Sequence, residues 1–385
     1  MALMPRRHGV TVTQVLVGAI ALQVASSSIW GVVVIADDAD AAAFPLNTAV
    51  LVTDTAAAIA DAGQEGTFAR TLQAISAAGR SIGVVVRVAE GAGELPEEIQ
   101  DATDANVIAG LEVLRLAEQS VAVRPVILAA PGLDTAAVAA SLAILAGRLG
   151  GFAYASAGGG TPAEIDTYRQ TFGAKELMLI DGDFIAFDAV AAEEVTSFAT
   201  AHAVGLRAAI DQTAEGYAKT ISNVPVPGVT GIVSPRSWDL SSADTEMGLI
   251  NGADVTGLIM RNGVRFWGNR TCSAEPQFAF ESAVRSGQAL TRMEQEQLLP
   301  FIDKPLRKSL IVDLIESLNA AGRREVRSGR LIGVEYYLAD GNTPDQLAAG
   351  KLRIGRRYTP AAPLEDLGID AVMTDEFYVD VTQAA

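Results

Sequence analysis

Two periodicities alternate along this chain. Short runs of β-branched and apolar residues, "WGVVVIA" (30–36), "AVLVTD" (49–54) and "IGVVVRVAE" (82–90), read as strands buried on both faces. Between the last two, "AAAIADAGQEGTFARTLQAISAAG" repeats its apolar residues at helical spacing and stops at Gly79, which predicts one helix. Residues 91–104, "GAGELPEEIQDATD", are acidic and carry Gly and Pro, the pattern of a domain boundary. The alternation then resumes. "RPVILAAPG" (124–132) predicts a strand with a loop at its carboxyl end, and "DTAAVAASLAILAGRLG" a helix capped by Asp134 and closed at Gly150. "GFAYASA" and "KELMLID" predict strands on either side of "TPAEIDTYRQTFG", a capped helix with Pro162 in its first turn. Strands alternating with helices predict a largely parallel, covered sheet.

From about residue 260 the pattern changes to long helices and paired strands. "SAEPQFAFESAVRSGQALTRMEQEQ" reads as a helix, as does "DKPLRKSLIVDLIESLNAAG", with Asp303 as cap, Pro305 early and Gly322 as terminator. Leu306, Leu310, Ile311, Leu314, Ile315 and Leu318 form its apolar stripe. "RLIGVEYYLA" and "KLRIGRRYTP" predict strands. Both chain ends alternate at period two: Val10, Thr11 and Val12 in "HGVTVTQV", and Phe377, Tyr378, Val379 and Val381 in "DEFYVDV". A terminal strand can stay in its own sheet or pair with a neighbour's open edge; periodicity does not choose between them.

Charge adds a partition that hydropathy does not show. The 385-residue chain carries −17 overall, but residues 1–260 hold −16, residues 261–360 hold +5, and residues 361–385 hold −6. An acidic chain is no general nucleic-acid binder. The basic block between acidic flanks points instead to docking against an acidic surface, with Lys304, Arg307, Lys308, Arg323, Arg324 and Arg327 in its helix and just after it. The basic start and apolar stretch of "MPRRHGVTVTQVLVGAIALQVASSSIWGVVVIAD" resemble a signal peptide or membrane span. The alternation at Val10–Thr13, Gln14, Gln23 and the serines at 26–28 argue for neither.

Candidate chemistry is sparse. Loops "APGLDT" and "SAGGGTPAE" fall where α/β folds bind ligands, yet neither is a dinucleotide fingerprint nor a Walker A loop, which favours ordinary turns over a nucleotide-binding enzyme. Asp181, Asp183 and Asp188 lack the spacing of a calcium loop. The lone Cys272 has only His8 and His202 as conceivable bases, and no motif orients them. No metal site, cofactor or catalytic residue is expected.

Several strings resemble one family. "HGVTVTQVLVGAIALQVASSSIWGVVVIADDADAAAFPLNTAVLVTD" is similar to the amino end of contractile phage tail sheath proteins, and "GVTGIVSPRSW" with "ADVTGLIMRNGVRFWGNRTCS" to the join between their domains. "FIDKPLRKSLIVDLIESLNAAGRREVRSGRLIG" and "GKLRIGRRYTPAAPLEDLGIDAVMTDEFYVDV" resemble the family's last helix–loop–strand and its terminus. The likeness runs end to end and is nearest the sheaths of temperate phages and R-type tailocins.

The resemblance implies a multidomain α/β and α+β fold. Its expected parts are an arm at 1–20, a small α/β domain at 21–95, an outward-facing inserted α/β domain at 96–255, a tube-facing α+β core at 256–365 and a second arm at 366–385. It implies stacked six-fold rings of a helical homo-oligomer around an inner tail tube protein, with baseplate and tail terminator partners, in a virion or tailocin particle assembled in the host cytoplasm. The arms at Val10–Val12 and Phe377–Val381 would complete neighbours' sheets, and the basic block would face the tube. No nucleic acid and no membrane insertion are implied. Trp267, Gly268, Asn269 and Arg270 would fix a packed turn where the core begins.

Overall fold

The computed structural model describes residues 27–188, 192–375 and 378. The valine runs do form strands. β1 (Trp30–Ile35), β2 (Ala49–Val52), β3 (Gly83–Val88), β4 (Ile127–Ala129), β5 (Phe152–Ser156) and β6 (Leu177–Ile180) make one sheet in the order β2-β3-β1-β4-β5-β6. All its pairings are parallel except β2–β3. Side chains alternate across it. Val32 and Val34 enter a core with Phe68, Leu72 and Val204, while Val33 and Ile35 enter another with Val107, Leu111 and Leu142. Helices therefore cover both faces: α2 (Phe68–Ala77) and α7 (Ala199–Asp211) on one, α3 (Pro96–Arg115) and α5 (Ala136–Leu149) on the other. Short α1 (Thr55–Ala58) and α4 (Ala117–Val121), and α6 (Pro162–Arg169), fill the connections. The expected division at residues 95/96 falls between β3 and α3, and the sheet continues through it.

Several local expectations are corrected. The helix drawn across 56–79 is broken, because Gly63 and Gly66 adopt φ of 74° and 76° and a Cβ on Gly66 would lie 2.3 Å from the Ile35 carbonyl oxygen. The polar stretch at 91–104 is mostly helix. Pro96 begins α3, the Glu98 carboxylate accepts the Leu95 N–H at 3.3 Å, and the acids are the solvent face of a helix whose other side buries Val107 and Leu111. Thr135, not Asp134, caps α5, its hydroxyl accepting the Val138 N–H.

Two smaller units follow. β7 (Phe184–Asp188), β8 (Glu193–Ser197) and β9 (Gly231–Ile232) form an antiparallel sheet in the order β8-β7-β9. After α8 (Glu246–Gly252), β10 (Gly257–Met260) and β11 (Val264–Trp267) make a hairpin. The carboxyl-terminal unit comprises α9 (Glu281–Leu298), α10 (Lys308–Arg327), β12 (Leu331–Leu338), α11 (Pro344–Ala348) and β13 (Ile354–Pro360), with β12 and β13 antiparallel.

α10 differs from expectation at both ends. Asp303 has φ 65°, unlike an N-cap, and Pro305 disfavours helix at Lys304, so the helix starts at Lys308. Gly322 does not end it. A Cβ there would stand 2.6 Å from Val334 Cγ1, so this glycine lets α10 lie close against β12 and the helix continues to Arg327.

Residues 361–375 have no regular structure, and Leu364, Leu367, Ile369, Val372 and Met373 are exposed. The expected strands at Val10, Thr11 and Val12 and at Phe377, Val379 and Val381 lie outside the described residues. Tyr378, expected in the second of these strands, is instead helical: it is exposed, and its N–H donates to the Asp375 carbonyl three residues back at 3.0 Å.

Candidate functional site

The loops at the carboxyl ends of the parallel strands are filled by their own side chains. Gly158, Gly159 and Gly160 all have positive φ, but the Thr161 hydroxyl accepts the Glu164 N–H at 3.3 Å and Glu164 accepts the Thr161 N–H at 2.8 Å, closing the start of α6. Arg236 reaches the Gly160 carbonyl at 2.7 Å and grips Asp181 at 3.0 and 3.2 Å. Asp183 accepts the Ala199 N–H at 2.8 Å, capping α7. Asp134 accepts the Ser156 N–H at 2.7 Å, and burial pushes its carboxyl up to about 7. Cys272 and His202 make no dyad. The thiol, raised to about 12 by burial, sits in the core containing α3 and α5. His202, lowered to about 4 by burial, bonds Ser197 Oγ at 2.8 Å and meets the Phe184 ring edge-on across the sheet from that core. Among the described residues no group of three His, Cys, Asp or Glu side chains could hold a metal. No described helix is long and apolar enough to cross a membrane.

The "WGNRT" string is a structural joint. Gly268 has φ 135°, and a Cβ on it would lie 2.8 Å from Thr256 Cα. Asn251 donates from its amide to the Trp267 carbonyl at 2.9 Å, and Trp267 packs edge-on against Trp238 at 5.2 Å. The Thr256 N–H bonds the Leu179 carbonyl and the Cys272 N–H bonds the Leu177 carbonyl, so this region continues the sheet beyond β6. Asn269 is buried and its carbonyl accepts the Glu281 N–H at 3.0 Å. Arg270 stays at the surface. Its guanidinium forks onto Glu365 at 2.9 and 2.6 Å and touches Asp254 at 3.4 Å. The Glu365 hydrogen bonds raise its pKa. An open cleft of about 540 Å³ lies here, bordered by Asn269, Arg270, Pro363 and Glu365.

Behind the joint lies a buried charge cluster that nothing in the sequence singled out. Arg207 and Asp211 of α7 meet Glu281 and Arg285 of α9, all at most 1% exposed. Arg207 lies 2.7 Å from Asp211 and 3.6 Å from Glu281, and Arg285 bonds Asp211. Tyr154 on β5 donates to Glu281 at 2.5 Å, and burial, then Glu281, hold its phenol well above the ordinary range. Burial alone would lower Arg207, but Asp211 and then Glu281 outweigh it and raise its pKa. Two cations and two anions balance, and the cluster binds α9 to the central sheet.

The basic block is split. Lys304, Arg307 and Lys308 are exposed where α10 begins, with Lys304 lying over the Phe301 ring at 4.6 Å. Arg323, Arg324 and Arg327 are exposed at its other end. About 1.5 Å of rise per residue separates the two groups by roughly 25 Å, so they do not form one patch. Arginines at a helix carboxyl end are favoured by its dipole, which gives the second group a local reason to exist.

β12 and β13 present the least finished surface. β13 is mostly half-exposed, β12 buries only Leu331 and Tyr336, and Ile332 and Leu338 face solvent. One main-chain site is already taken. The Asn319 amide on α10 accepts the Tyr336 N–H and donates to the Tyr336 carbonyl, both at 2.9 Å, as a neighbouring strand would.

The chain is similar to known proteins in both sequence and fold. The family model described as the phage tail sheath protein central domain matches residues 106–272. The tail sheath protein of Escherichia phage P2 is 41% identical over 97% of both chains, and the major tail sheath protein of Serratia phage KSP20 is 38% identical over 91% of both. Among solved structures, a chain in the cryo-EM structure of the anti-feeding prophage baseplate in its contracted state is 17% identical. It superposes with a TM-score of 0.73, covering 97% of this chain and 100% of that one. That structure shows the same fold, and with 41% and 38% identity along almost the whole length the chain belongs to the phage tail sheath proteins.

Proposed function

We propose that this protein is the repeating structural subunit of a contractile tail sheath, stacking as six-fold rings around an inner tail tube and shortening to drive that tube through a bacterial envelope. Family membership supports the reading, and one observation on this chain carries it. The β12–β13 pair is a two-stranded sheet with half-exposed faces, followed by a segment at 361–375 that holds five large apolar side chains in solvent. A two-stranded sheet is marginal alone, and an exposed apolar segment marks an interface. Both are completed if the segments at 1–20 and 366–385 each pair with a neighbouring subunit's hairpin, linking the polymer by main-chain hydrogen bonds. The buried cluster and central sheet then act as the rigid body that moves, and stored free energy is released as interfaces repack. Such a subunit turns over no substrate.

The tube is the acidic partner this reading needs for Lys304, Arg307 and Lys308, which stand exposed at the start of α10. Surface pairs of this kind contribute about 0–1 kcal/mol each and weaken with salt, so many together hold the sheath yet release on firing. Negative-stain microscopy of the purified protein tests the function: hollow tubes with cogwheel cross-sections are expected, and discrete particles under all conditions would refute it. Reversing the three charges to Glu is expected to impair assembly around the tube. Unimpaired assembly would remove these residues from the tube interface.

A further inference from the structure

Ser27 and Glu365 lie near opposite ends of the chain, yet one short stretch holds both. Arg270 forks onto the Glu365 carboxylate at 2.9 and 2.6 Å. Arg285 donates from Nη2 to the Ser27 carbonyl at 3.1 Å. The stretch between these arginines folds back on itself. Arg270 faces Phe280 in an antiparallel bridge, the Thr271 N–H bonds the Ala279 carbonyl at 2.8 Å, and the Glu281 N–H bonds the Asn269 carbonyl at 3.0 Å. Arg285 then lies one turn along α9 from Glu281, inside the buried cluster that reaches α7 and β5.

The two grips differ in kind. Arg285 is 1% exposed and paired with Asp211, so its hold on Ser27 is fixed by the core. Arg270 and Glu365 are 37% and 39% exposed, yet the contact is two-pronged, and Asp254 steadies the guanidinium from the other side. Residues 361–375 form no helix or strand, and this fork ties the segment to the body at Glu365.

We propose that Asn269–Arg285 is the shared anchor of the two terminal segments. Arg270 is a positioning residue that fixes where the carboxyl-terminal segment leaves the subunit, and Arg285 does the same for the amino-terminal one. Pull on the carboxyl-terminal segment is then shared between its covalent link to β13 and the Arg270 fork, and pull on the amino-terminal one between its covalent link to β1 and the buried cluster. The family-like strings "WGNRT" and "PLEDL" thereby acquire a joint role, since Arg270 of one grips Glu365 of the other. The proposal rests on the reading that these segments engage neighbouring subunits.

The test uses the full-length chain, with Arg270→Gln, Glu365→Gln and the exchange Arg270→Glu with Glu365→Arg. A surface ion pair of about 0–1 kcal/mol leaves the thermal midpoint of unpolymerised protein within about 2 °C of the parent. Sedimentable polymer is expected to fall about tenfold or more in each single variant, a loss equivalent to about 1.4 kcal/mol or more, and to recover in the exchange. Arg285→Lys keeps a cation beside Asp211 but shortens the reach to Ser27, and is expected to lose polymer to a similar degree. Parental polymer yields in the single variants, failure of the exchange to recover, or polymer loss that merely follows a fall in midpoint would each overturn the Arg270 anchor. Parental polymer from Arg285→Lys would overturn the amino-terminal half. Deleting residues 366–385 separates the layers. If the deleted chain still polymerises, the terminal-segment reading and the anchor both fail. If it does not, while the single variants do, the anchor alone fails.

Discussion

The six-stranded sheet and the β12–β13 pair put strands to opposite ends, the first from runs of valine and the second from strands that mix apolar residues with Glu, Tyr and Arg. β1 and β3 are buried at every position, and helices close both faces. β13 has no fully buried residue, and β12 exposes Ile332 and Leu338. One region satisfies itself within a single chain, while the other is left incomplete in a lone subunit. A chain that must both fold alone and polymerise can divide the tasks in this way, placing its stability in one region and its unsatisfied surface in another.

Removing the terminal segments tests that division most severely. Deletion of residues 1–16 is expected to abolish polymerisation while circular dichroism and the thermal midpoint of the monomer stay at the parental level; tubes formed by the truncated chain would erase the contrast. Next comes Arg207→Met. It leaves Asp211 and Glu281 buried with too little positive charge, which costs about 3–5 kcal/mol in urea unfolding. A cost under about 1 kcal/mol would show that the cluster is solvated. Leu72→Ala in the sheet's helical cover should lose roughly 2–5 kcal/mol, as a fully buried leucine does.

The body should also respond to pH through two groups of opposite sign, the buried His202 and the half-buried Asp134. His202 titrates near 4 when folded against 6.5 ordinarily, so its contribution is complete above pH 6.5 and drains away as pH falls towards 4. The full swing is on the order of 3 kcal/mol. Asp134, raised to about 7 from 3.8, acts the other way: its contribution is complete below about pH 3.8 and is lost as pH rises to about 7. Unfolding curves of His202→Gln and Asp134→Asn between pH 4 and 7 should therefore tilt in opposite directions, and parallel curves would contradict both burials. The smallest effect belongs to the hairpin. Ile332→Ser should change monomer stability by under about 0.5 kcal/mol because the side chain already faces solvent, yet it should weaken assembly.

The legibility of the chain follows the same division. Much of the local structure was legible: valine runs became strands, and "TPAEIDTYRQTFG" a capped helix with Pro162 in its first turn, although the cap of α5 fell on Thr135 rather than Asp134. Gly322 was misread because a glycine late in an apolar stripe usually ends a helix, and only the position of Val334 shows that it admits a strand. The charge cluster was invisible for a similar reason. Arg207 lies in an alanine-rich helix and Glu281 distant in sequence, and nothing local distinguishes them from solvated residues. Arg270 was singled out for a turn, but its partner Glu365 became apparent only in three dimensions.

The Asn319 amide at Tyr336 has one more consequence. Any polypeptide arriving along that flank of β12 must evict a side chain that already satisfies the two main-chain groups it came to meet, exchanging two hydrogen bonds for two. Such a trade is nearly level in free energy. A visiting strand, a neighbour's included, therefore gains nothing at this position and must draw its hold from other residues, so the helix acts as a doorkeeper on this flank.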